Sequence, residues 1–306
     1  MKRWYWVVVG VAGMMVSIVI AVVAGDETSP TTTSISAQPL STTAPASTVP
    51  DPSVTLAPPD GSERATVTRI KDGDTIEIEM LSGVLETVRL IGINTSESGE
   101  CFSQEATVAL AALLSDEVIT MTTDVSDRDQ YGRLLRYLWL DRGVFVNEIM
   151  VRGGFAQARD YPPDSLYAAD IASAQESAQA DAIGIWARDA CGPATGVDLR
   201  VIEVLADPPG SDTDSLEGEW VDIVNAGSTE VSMRGWVLKD ESSRHRFFFA
   251  DDFVIAPHSV VRIFTGCGPD DDETLFWCNG SAVWNNTGDT AFLLDPNGNI
   301  VTFYRY

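Results

Sequence analysis

One segment decides the fold of the first folded region: ATVTRIKDGDTIEIEMLSGVLETVRLIG, residues 65–92. Apolar and polar residues alternate in three runs, Ala65–Lys71, Thr75–Met80 and Leu85–Gly92, and a period of two is typical of half-buried β-strands. Asp72-Gly73 separates the first two runs and is a strong signal for a tight hairpin. The segment therefore predicts three consecutive antiparallel strands.

The residues that follow predict the rest of this region. Two more strands are expected at Glu117–Thr123 and Leu134–Leu140, with helical patterns at Ser103–Leu114, Val146–Val151 and Ser165–Gln179. Strands and helices in this order and spacing predict an α+β domain, a small closed five-stranded barrel with helices packed around it.

The last third of the chain has a different pattern, without a convincing helix. Short apolar runs recur between turn clusters: VIEVL, WVDIV, GWVLKD, FFF, SVVRIF, TAFLL and NIVTFY. About seven short strands with regular turn signals predict an all-β sandwich.

The N-terminus predicts export. Lys2-Arg3 precedes a run without charged residues from Trp4 to Ala24, about the length that spans a bilayer. Residues 1–25 are therefore predicted to be a cytoplasmic tip and a transmembrane signal anchor in the cell membrane, with the rest of the chain outside the cytoplasm. The alternative is a signal peptide cleaved after Ala24, which would release a secreted protein. Residues 26–62 are rich in Ser, Thr and Pro and predict a disordered stalk.

Charge and histidine content exclude several classes of function. The chain has 20 basic and 45 acidic side chains, a net charge of −25, so it cannot bind nucleic acid by bulk electrostatic attraction. His245 and His258 are the only histidines in the sequence. Residues 1–244 therefore cannot form a Ser-His-Asp triad or a histidine-ligated zinc site.

The four cysteines fit an exported protein. They form no CxxC motif, so disulfides explain them better than zinc does. Cys101–Cys191 and Cys267–Cys278 are the predicted pairs because each would crosslink one domain; other pairings stay open.

Carboxylates and arginines remain as the candidate chemistry of the first domain. In RLIGINTSES, Arg89–Ser98, the chain leaves an apolar strand and becomes polar, the form of a strand end that delivers side chains to a site. Oxygen ligands bind hard cations such as calcium, and guanidinium groups bind phosphate. This combination suits metal-assisted phosphodiester hydrolysis.

An ordered set of motifs in this region resembles the thermonuclease (staphylococcal nuclease-like) family. The motifs are Lys71-Asp72-Gly73-Asp74-Thr75, Val88–Glu97, Asp129-Gln130-Tyr131-Gly132-Arg133, Val146–Gly154 and Ala182-Ile183-Gly184-Ile185-Trp186. The resemblance implies an OB-fold domain at residues 63–192 that hydrolyses DNA and/or RNA with Ca²⁺.

The resemblance also implies roles for individual residues. Asp74 would be a metal carboxylate, and Thr95 would supply a metal-ligating carbonyl. Arg89 and Arg133 would bind the scissile phosphate, and Glu97 would act on the attacking water. Tyr161 would contact the nucleotide, whereas Tyr131 is expected to support the turn before Arg133.

One metal ligand differs from the family pattern. Asn94 stands where the family usually has an aspartate. An amide oxygen still coordinates calcium, but the site loses one negative charge, on the order of a kcal/mol of attraction. We therefore expect weaker calcium binding rather than loss of the site.

The C-terminal region resembles the lamin-tail domain. The likeness is carried by Glu219–Asn225, Gly235–Asp240 and Val283–Ala291, and it implies an immunoglobulin-like sandwich at residues 197–306. No catalytic set is visible there, so we interpret it as a docking module for an unknown surface ligand. The complete chain is predicted to be a membrane-tethered calcium-dependent nuclease; the alternative is a catalytically inactive, nuclease-fold surface binding or adhesion protein.

Overall fold

The first folded region is a closed barrel in the computed structural model, which describes residues 56–141, 143–208, 216–242 and 244–306. Its strands are β1 Glu63–Ile70, β2 Thr75–Met80, β3 Leu85–Leu90, β4 Ile93–Asn94, β5 Val118–Thr122, β6 Leu134–Leu140, β7 Val144–Phe145 and β8 Gln157–Ala158. Five of them pair in the order β3-β2-β1-β5-β6, and a parallel β3–β6 pair closes the ring. The predicted five-stranded barrel is thus confirmed, and its closure removes exposed sheet edges.

Three helices pack around the barrel: α1 Ser103–Leu114, α2 Val146–Arg152 and α3 Ala168–Ala180. Helix α3 begins three residues later than the pattern predicted, because the residues before it form turns that follow Pro162-Pro163. Trp139, Tyr137 and Phe145 are fully buried in the core that these elements share. A rigid barrel of this kind can hold side chains at its open end in defined positions.

Residues 199–305 form a β-rich region that fits an immunoglobulin-like sandwich. Its strands are β9 Leu199–Leu205, β10 Trp220–Asn225, β11 Val231–Ser232, β12 Val237–Lys239, β13 Arg246–Phe248, β14 Val254–Ile255, β15 Val260–Phe264, β16 Thr274–Phe276, β17 Thr290–Leu294 and β18 Ile300–Arg305. The sheets have the orders β16-β15-β10-β9, β13-β12-β17-β18 and β11-β14. The sequence pattern missed β11, β14 and β16, which span only two or three residues and lie outside the apolar runs.

The barrel and the sandwich each have their own hydrophobic core, and a smaller cluster lies between them. In that cluster the Trp186 ring, from the end of the barrel region, lies 6.3 Å from Phe292 and 5.5 Å from Phe303. The backbone N–H of Cys191 also donates to Asn299 Oδ1 at 2.8 Å. The two regions therefore belong to one compact unit, Ser47–Tyr306.

Both disulfides have the predicted pairing. Cys101–Cys191 joins the start of α1 to the end of the barrel region, and Cys267–Cys278 lies within the sandwich. The predicted anchor, residues 1–25, and most of the predicted stalk lie outside the described residues. Within the part of the chain that is described, no helix has the length and apolar character needed to cross a membrane.

Candidate active site

Strand pairing brings the predicted site residues to one end of the barrel. Thr75 at the start of β2 pairs with Arg89 near the end of β3, so Asp74, one residue earlier, lies beside the arginine. Arg89 Nη2 is 3.0 Å from Asp74 Oδ2. Because β3 and β6 are parallel and Val88 pairs with Leu134, Arg133 at the start of β6 is brought to the same end.

The Asp74 carboxylate is buried and held by three protein groups besides Arg89. Its Oδ1 accepts from Thr75 Oγ1 at 3.0 Å, and its Oδ2 accepts from the backbone N–H and the hydroxyl of Thr95 at 3.0 and 3.1 Å. Such a carboxylate is fixed in one orientation. The same contacts tie the Thr95 residue to the Asp74 carboxylate.

The Arg89 guanidinium fills the space between Asp74 and Asn94. It donates to the carbonyls of Leu90 and Ile93 at 2.7 and 2.8 Å and to Asn94 Oδ1 at 3.1 Å. Both terminal nitrogens therefore already have protein acceptors, although the side chain lines the cleft. A phosphate bound by Arg89 would share or displace these contacts.

Arg133 is oriented by Asp129 rather than by Tyr131. Asp129 Oδ2 accepts from Arg133 Nε at 2.6 Å, and Asp129 Oδ1 accepts the backbone N–H groups of Tyr131 and Arg133. Burial acts to raise the pKa of Asp129, but the hydrogen bonds and charge of Arg133 outweigh it and hold the pKa below its usual value. Within the described ranges the terminal NH₂ groups of Arg133 have no hydrogen-bond partner, so they are available to an anion.

Tyr131 lies in this turn, and its side chain is open to the cleft. Its side chain is 67% exposed and lines the cleft, where the ring centroid lies 5.6 Å from the Arg133 guanidinium. Asp129 begins the turn: its carbonyl accepts from the Gly132 N–H, and its carboxylate accepts from the backbone N–H groups of Tyr131 and Arg133.

Glu97 and Tyr161 lie at the mouth of the same cleft, which encloses about 640 Å³. Glu97 is exposed, and its carboxylate has no hydrogen-bond partner among the described residues, while its backbone forms a turn with Glu100. Tyr161 is 48% exposed. An unpaired acid and an exposed aromatic ring are thus directed toward the solvent-filled space.

The cleft contains more acids than bases. Its acidic side chains are Asp72, Asp74, Glu97, Asp129 and Asp164, against Arg89 and Arg133. Burial, together with the neighbouring charge of Asp74, raises the pKa of Asp72 above its usual value. A bound cation would relieve this concentration of negative charge.

The oxygen atoms near Asp74 fit a hard cation. Asp74 Oδ2 and Asn94 Oδ1 lie 3.0 and 3.1 Å from the same Arg89 nitrogen, so a cation bound to both oxygens would displace the guanidinium from them. The Thr95 carbonyl accepts no hydrogen bond in the described part of the chain. Carboxylate, amide and carbonyl oxygens are calcium ligands, but no cluster of three His, Cys, Asp or Glu side chains with metal-binding geometry occurs among the described residues. The donor set therefore fits calcium with little negative charge.

Every predicted site residue of the barrel lines this one cleft: Asp74, Arg89, Asn94, Thr95, Glu97, Arg133 and Tyr161. Sequence reasoning did not assign the acids that complete its walls. Asp72 was interpreted as a hairpin residue, and the structure adds that its Oδ1 accepts from the Asp74 N–H at 3.1 Å. Asp164 follows Pro162-Pro163, and no motif marked it.

An OB-fold barrel with carboxylates and arginines at its open end defines the class of nuclease-fold proteins. Comparison with known proteins gives the family. The Staphylococcal nuclease homologue family matches residues 87–188, and the Lamin Tail Domain family matches residues 193–306. The chain belongs to the staphylococcal nuclease (thermonuclease) family and carries a lamin-tail domain after its nuclease domain.

Curated relatives match the nuclease domain. The thermonuclease of Staphylococcus intermedius is 35% identical over 132 residues, which are 41% of this chain and 77% of the relative. The thermonuclease of Staphylococcus hyicus is 32% identical over 126 residues, 39% of this chain and 73% of the relative. Endonuclease YncB of Bacillus subtilis (strain 168) is 30% identical over 131 residues, 40% of this chain and 61% of the relative.

Proposed function

We propose that this protein is a calcium-dependent nuclease that hydrolyses phosphodiester bonds of DNA and/or RNA outside the cytoplasm. The observation that carries the proposal is the convergence of Asp74, Arg89, Glu97 and Arg133 on one cleft. Glu97 and Arg133 there have reactive groups without protein partners, as described above. These groups can therefore bind a ligand without breaking a hydrogen bond within the protein.

Each residue has a role that follows from its position. The free NH₂ groups of Arg133 bind the phosphate oxygens, with Nε fixed on Asp129 so that the guanidinium keeps its direction. Glu97 accepts a proton from the attacking water. Asp74, Asn94 and the Thr95 carbonyl would hold Ca²⁺, which when bound supplies charge neutralisation and polarisation of the phosphate. Arg89 holds Asp74 and Asn94 in place and adds positive charge on that side of the cleft.

The proposal is tested by incubating the full-length protein with single-stranded DNA or RNA, in calcium or in chelator. We expect calcium-dependent degradation, which Glu97→Gln lowers by about two orders of magnitude or more because the variant cannot accept the proton. The matched control is Glu79→Gln, which neutralises an exposed acid of β2 outside the cleft. Equal cleavage in calcium and chelator, or equal loss in both variants, would contradict the proposal.

We also propose that the chain is anchored in the cell membrane through residues 1–25, with both domains outside the cytoplasm. The apolar run from Trp4 to Ala24 and the two disulfides support this location. Protease added to intact cells should remove both domains from a membrane-bound remnant. Recovery from the medium of a chain that begins after Ala24 would instead indicate a cleaved signal.

A binding protein without activity is the second candidate. It is favoured by Asn94, which supplies no charge to a metal, and by the Arg89–Asp74 ion pair, which occupies the predicted metal carboxylate. This candidate predicts that oligonucleotides are bound but never cleaved at any calcium concentration. A surface adhesin, by contrast, would retain its ligand through residues 197–306 without using the cleft.

A further inference from the structure

The lamin-tail domain contacts the nuclease domain beside the cleft, through Arg159. This arginine follows β8 of the barrel region, and its guanidinium pairs with Glu241 and lies 3.8 Å from Asp289 Oδ1, both in the lamin-tail domain. The three side chains are 12%, 18% and 0% exposed, respectively. Since burying charges is costly, a buried cluster of this kind holds its members in one geometry.

The lamin-tail acids in this cluster are themselves fixed. Glu241 Oε1 accepts from the Thr290 hydroxyl at 2.6 Å, at the start of β17. Asp289 accepts from the Thr290 N–H at 2.8 Å and from Asn285 Nδ2 at 2.8 Å. Arg159 therefore contacts acids whose positions are set by hydrogen bonds from Thr290 and Asn285.

Arg159 transmits this constraint to the cleft. Its guanidinium lies 5.1 Å from the ring centroid of Tyr161, an aromatic side chain that lines the cleft. Cation–π contacts orient rings, and aromatic rings in nucleic-acid clefts stack on bases. The position of the Tyr161 ring thus depends on two acids of another domain.

A second contact reaches the cleft from the same domain. Arg244 is exposed, and its Nη2 lies 3.4 Å from the hydroxyl of Tyr131 at the cleft wall. Within the described residues it forms no ion pair, unlike Arg200 of the same domain, which pairs with Asp198. A cleft with five acids and two arginines needs further positive charge to hold a polyanion.

We propose that the lamin-tail domain completes the nucleic-acid cleft: Glu241 and Asp289 position Tyr161 through Arg159, and Arg244 binds a substrate phosphate beside Tyr131. The inference rests on the proposed function for its substrate class, single-stranded nucleic acid. Arg159, Glu241 and Asp289 are positioning residues, whereas Arg244 touches the substrate. The domain is thereby part of the substrate site in addition to any docking role.

The phosphate contact is tested by binding without cleavage. The full-length protein in chelator is titrated against a fluorescein-labelled single-stranded oligonucleotide, followed by anisotropy at several salt concentrations. Arg244→Glu should weaken binding about tenfold and lower the slope of log affinity against log salt by about 0.7, the loss of one phosphate contact. Arg200→Glu makes the same charge change elsewhere on the domain and should leave both values nearly unchanged. Equal losses in both variants would overturn this contact.

The positioning role is tested by a double-mutant cycle. Glu241→Ala should weaken oligonucleotide binding about threefold to tenfold when Tyr161 is present and should have no further effect in a Tyr161→Ala background. Additive effects would show that Glu241 does not act through Tyr161. Thermal unfolding of each variant is measured in parallel. If Glu241→Ala unfolds, Arg159→Lys takes its place in the cycle, because lysine keeps the charge but lacks the planar guanidinium group.

The outcomes separate this inference from the proposed nuclease activity. If oligonucleotide binding depends on Arg244 and Glu241 but calcium causes no cleavage, the inference about the lamin-tail domain stands and the proposed nuclease activity is excluded. If calcium-dependent cleavage is observed but the Arg244→Glu and Glu241→Ala variants bind the oligonucleotide as the wild type does, only the inference is excluded. No binding by the wild-type protein removes the inference as well.

Discussion

Polar groups have different partners in the two domains. In the nuclease cleft, the Glu97 carboxylate, the Thr95 carbonyl and the terminal nitrogens of Arg133 have no partner among the described residues. In the lamin-tail domain, Glu219 accepts the backbone N–H groups of Val283 and Trp284, both at 3.0 Å. Burial of an acid is therefore compatible with a purely structural role, whereas the unpaired groups of the cleft are free to bind a ligand.

Two further acids of the lamin-tail domain also have protein partners. Asp222 of β10 is bound by Arg262 through two hydrogen bonds of 2.7 and 2.8 Å, across the sheet. Asp295 accepts the N–H groups of Asn297 and Asn299 and closes the turn between β17 and β18. These acids stabilise turns and strands, so their removal should affect folding and not chemistry.

The largest expected effect is on activity, from a cleft arginine. Arg133→Ala should lower kcat/KM for an oligonucleotide by about a thousandfold, because removal of one positioned donor to a charged transition state typically costs this much. Initial rates in calcium measure it. Arg262→Ala, the corresponding change in the lamin-tail domain, should retain activity. A comparable loss in both variants would show that the comparison between the domains is wrong.

The next effect is on stability. Glu219→Ala should lower the free energy of unfolding by about 3 to 4 kcal/mol, because it leaves two buried N–H groups without an acceptor. Chemical denaturation measures this value, and Glu219→Gln, which keeps one acceptor oxygen, should lose less. The folded fraction should cleave with unchanged kcat. A variant that is stable but inactive would show that this acid acts in the reaction.

The free energy of unfolding should depend on pH through Asp289. Burial first, and the charge of Glu241 second, raise the pKa of Asp289 from 3.8 to about 6. Because the folded protein holds this proton more tightly than the unfolded chain does, Asp289 contributes its full stabilisation below pH 3.8. This contribution to the free energy of unfolding is lost as the pH rises through 6. Since one unit corresponds to about 1.4 kcal/mol, the full change is at most about 3 kcal/mol.

Asp289→Asn removes this titration. The unfolding free energy of the variant, relative to wild type, should therefore rise between pH 4 and pH 7, as measured by denaturation at both values. Asp270→Asn, an exposed acid of the same domain, serves as control. A relative stability that is constant or falls with pH would contradict the raised pKa.

The smallest expected effect is on calcium binding at the candidate metal site. Asn94→Asp restores a carboxylate beside Asp74 and should lower the calcium concentration for half-maximal activity severalfold, on the order of 1 kcal/mol. Isothermal titration with calcium alone measures the same change without substrate. Asn147→Asp is unsuitable as a control because Asn147 is buried and bonded to the backbone; Asn279→Asp, in the lamin-tail domain, is suitable. Unchanged calcium affinity would exclude Asn94 as a ligand.

Local patterns in the sequence predicted the barrel well. Alternation and the Asp72-Gly73 turn gave strand positions within a few residues, since closure of a small barrel requires one buried face on every strand. The resemblance to the thermonuclease family implied which side chains would share a site, and the hairpin register brings two of them, Asp74 and Arg89, together.

Contacts between distant parts of the chain could not be predicted. Nothing near Arg159 indicates that its partners are Glu241 and Asp289, since an ion pair across domains leaves no periodic signal. The partner of Arg133 was likewise missed: Asp129 stood in a motif without an assigned role, although its two oxygens bind both backbone and guanidinium. Side-chain pairing of this kind depends on the three-dimensional path of the chain.

The Cys101–Cys191 bond spans 90 residues and crosslinks a loop of the candidate site to the end of the nuclease domain. One of its cysteines follows the turn of Glu97 and Glu100, and the other precedes the lamin-tail domain. A chain in which this bond is reduced loses one constraint on the Glu97 loop and on the domain junction at the same time. A reducing agent should therefore loosen both segments together, without any change of sequence.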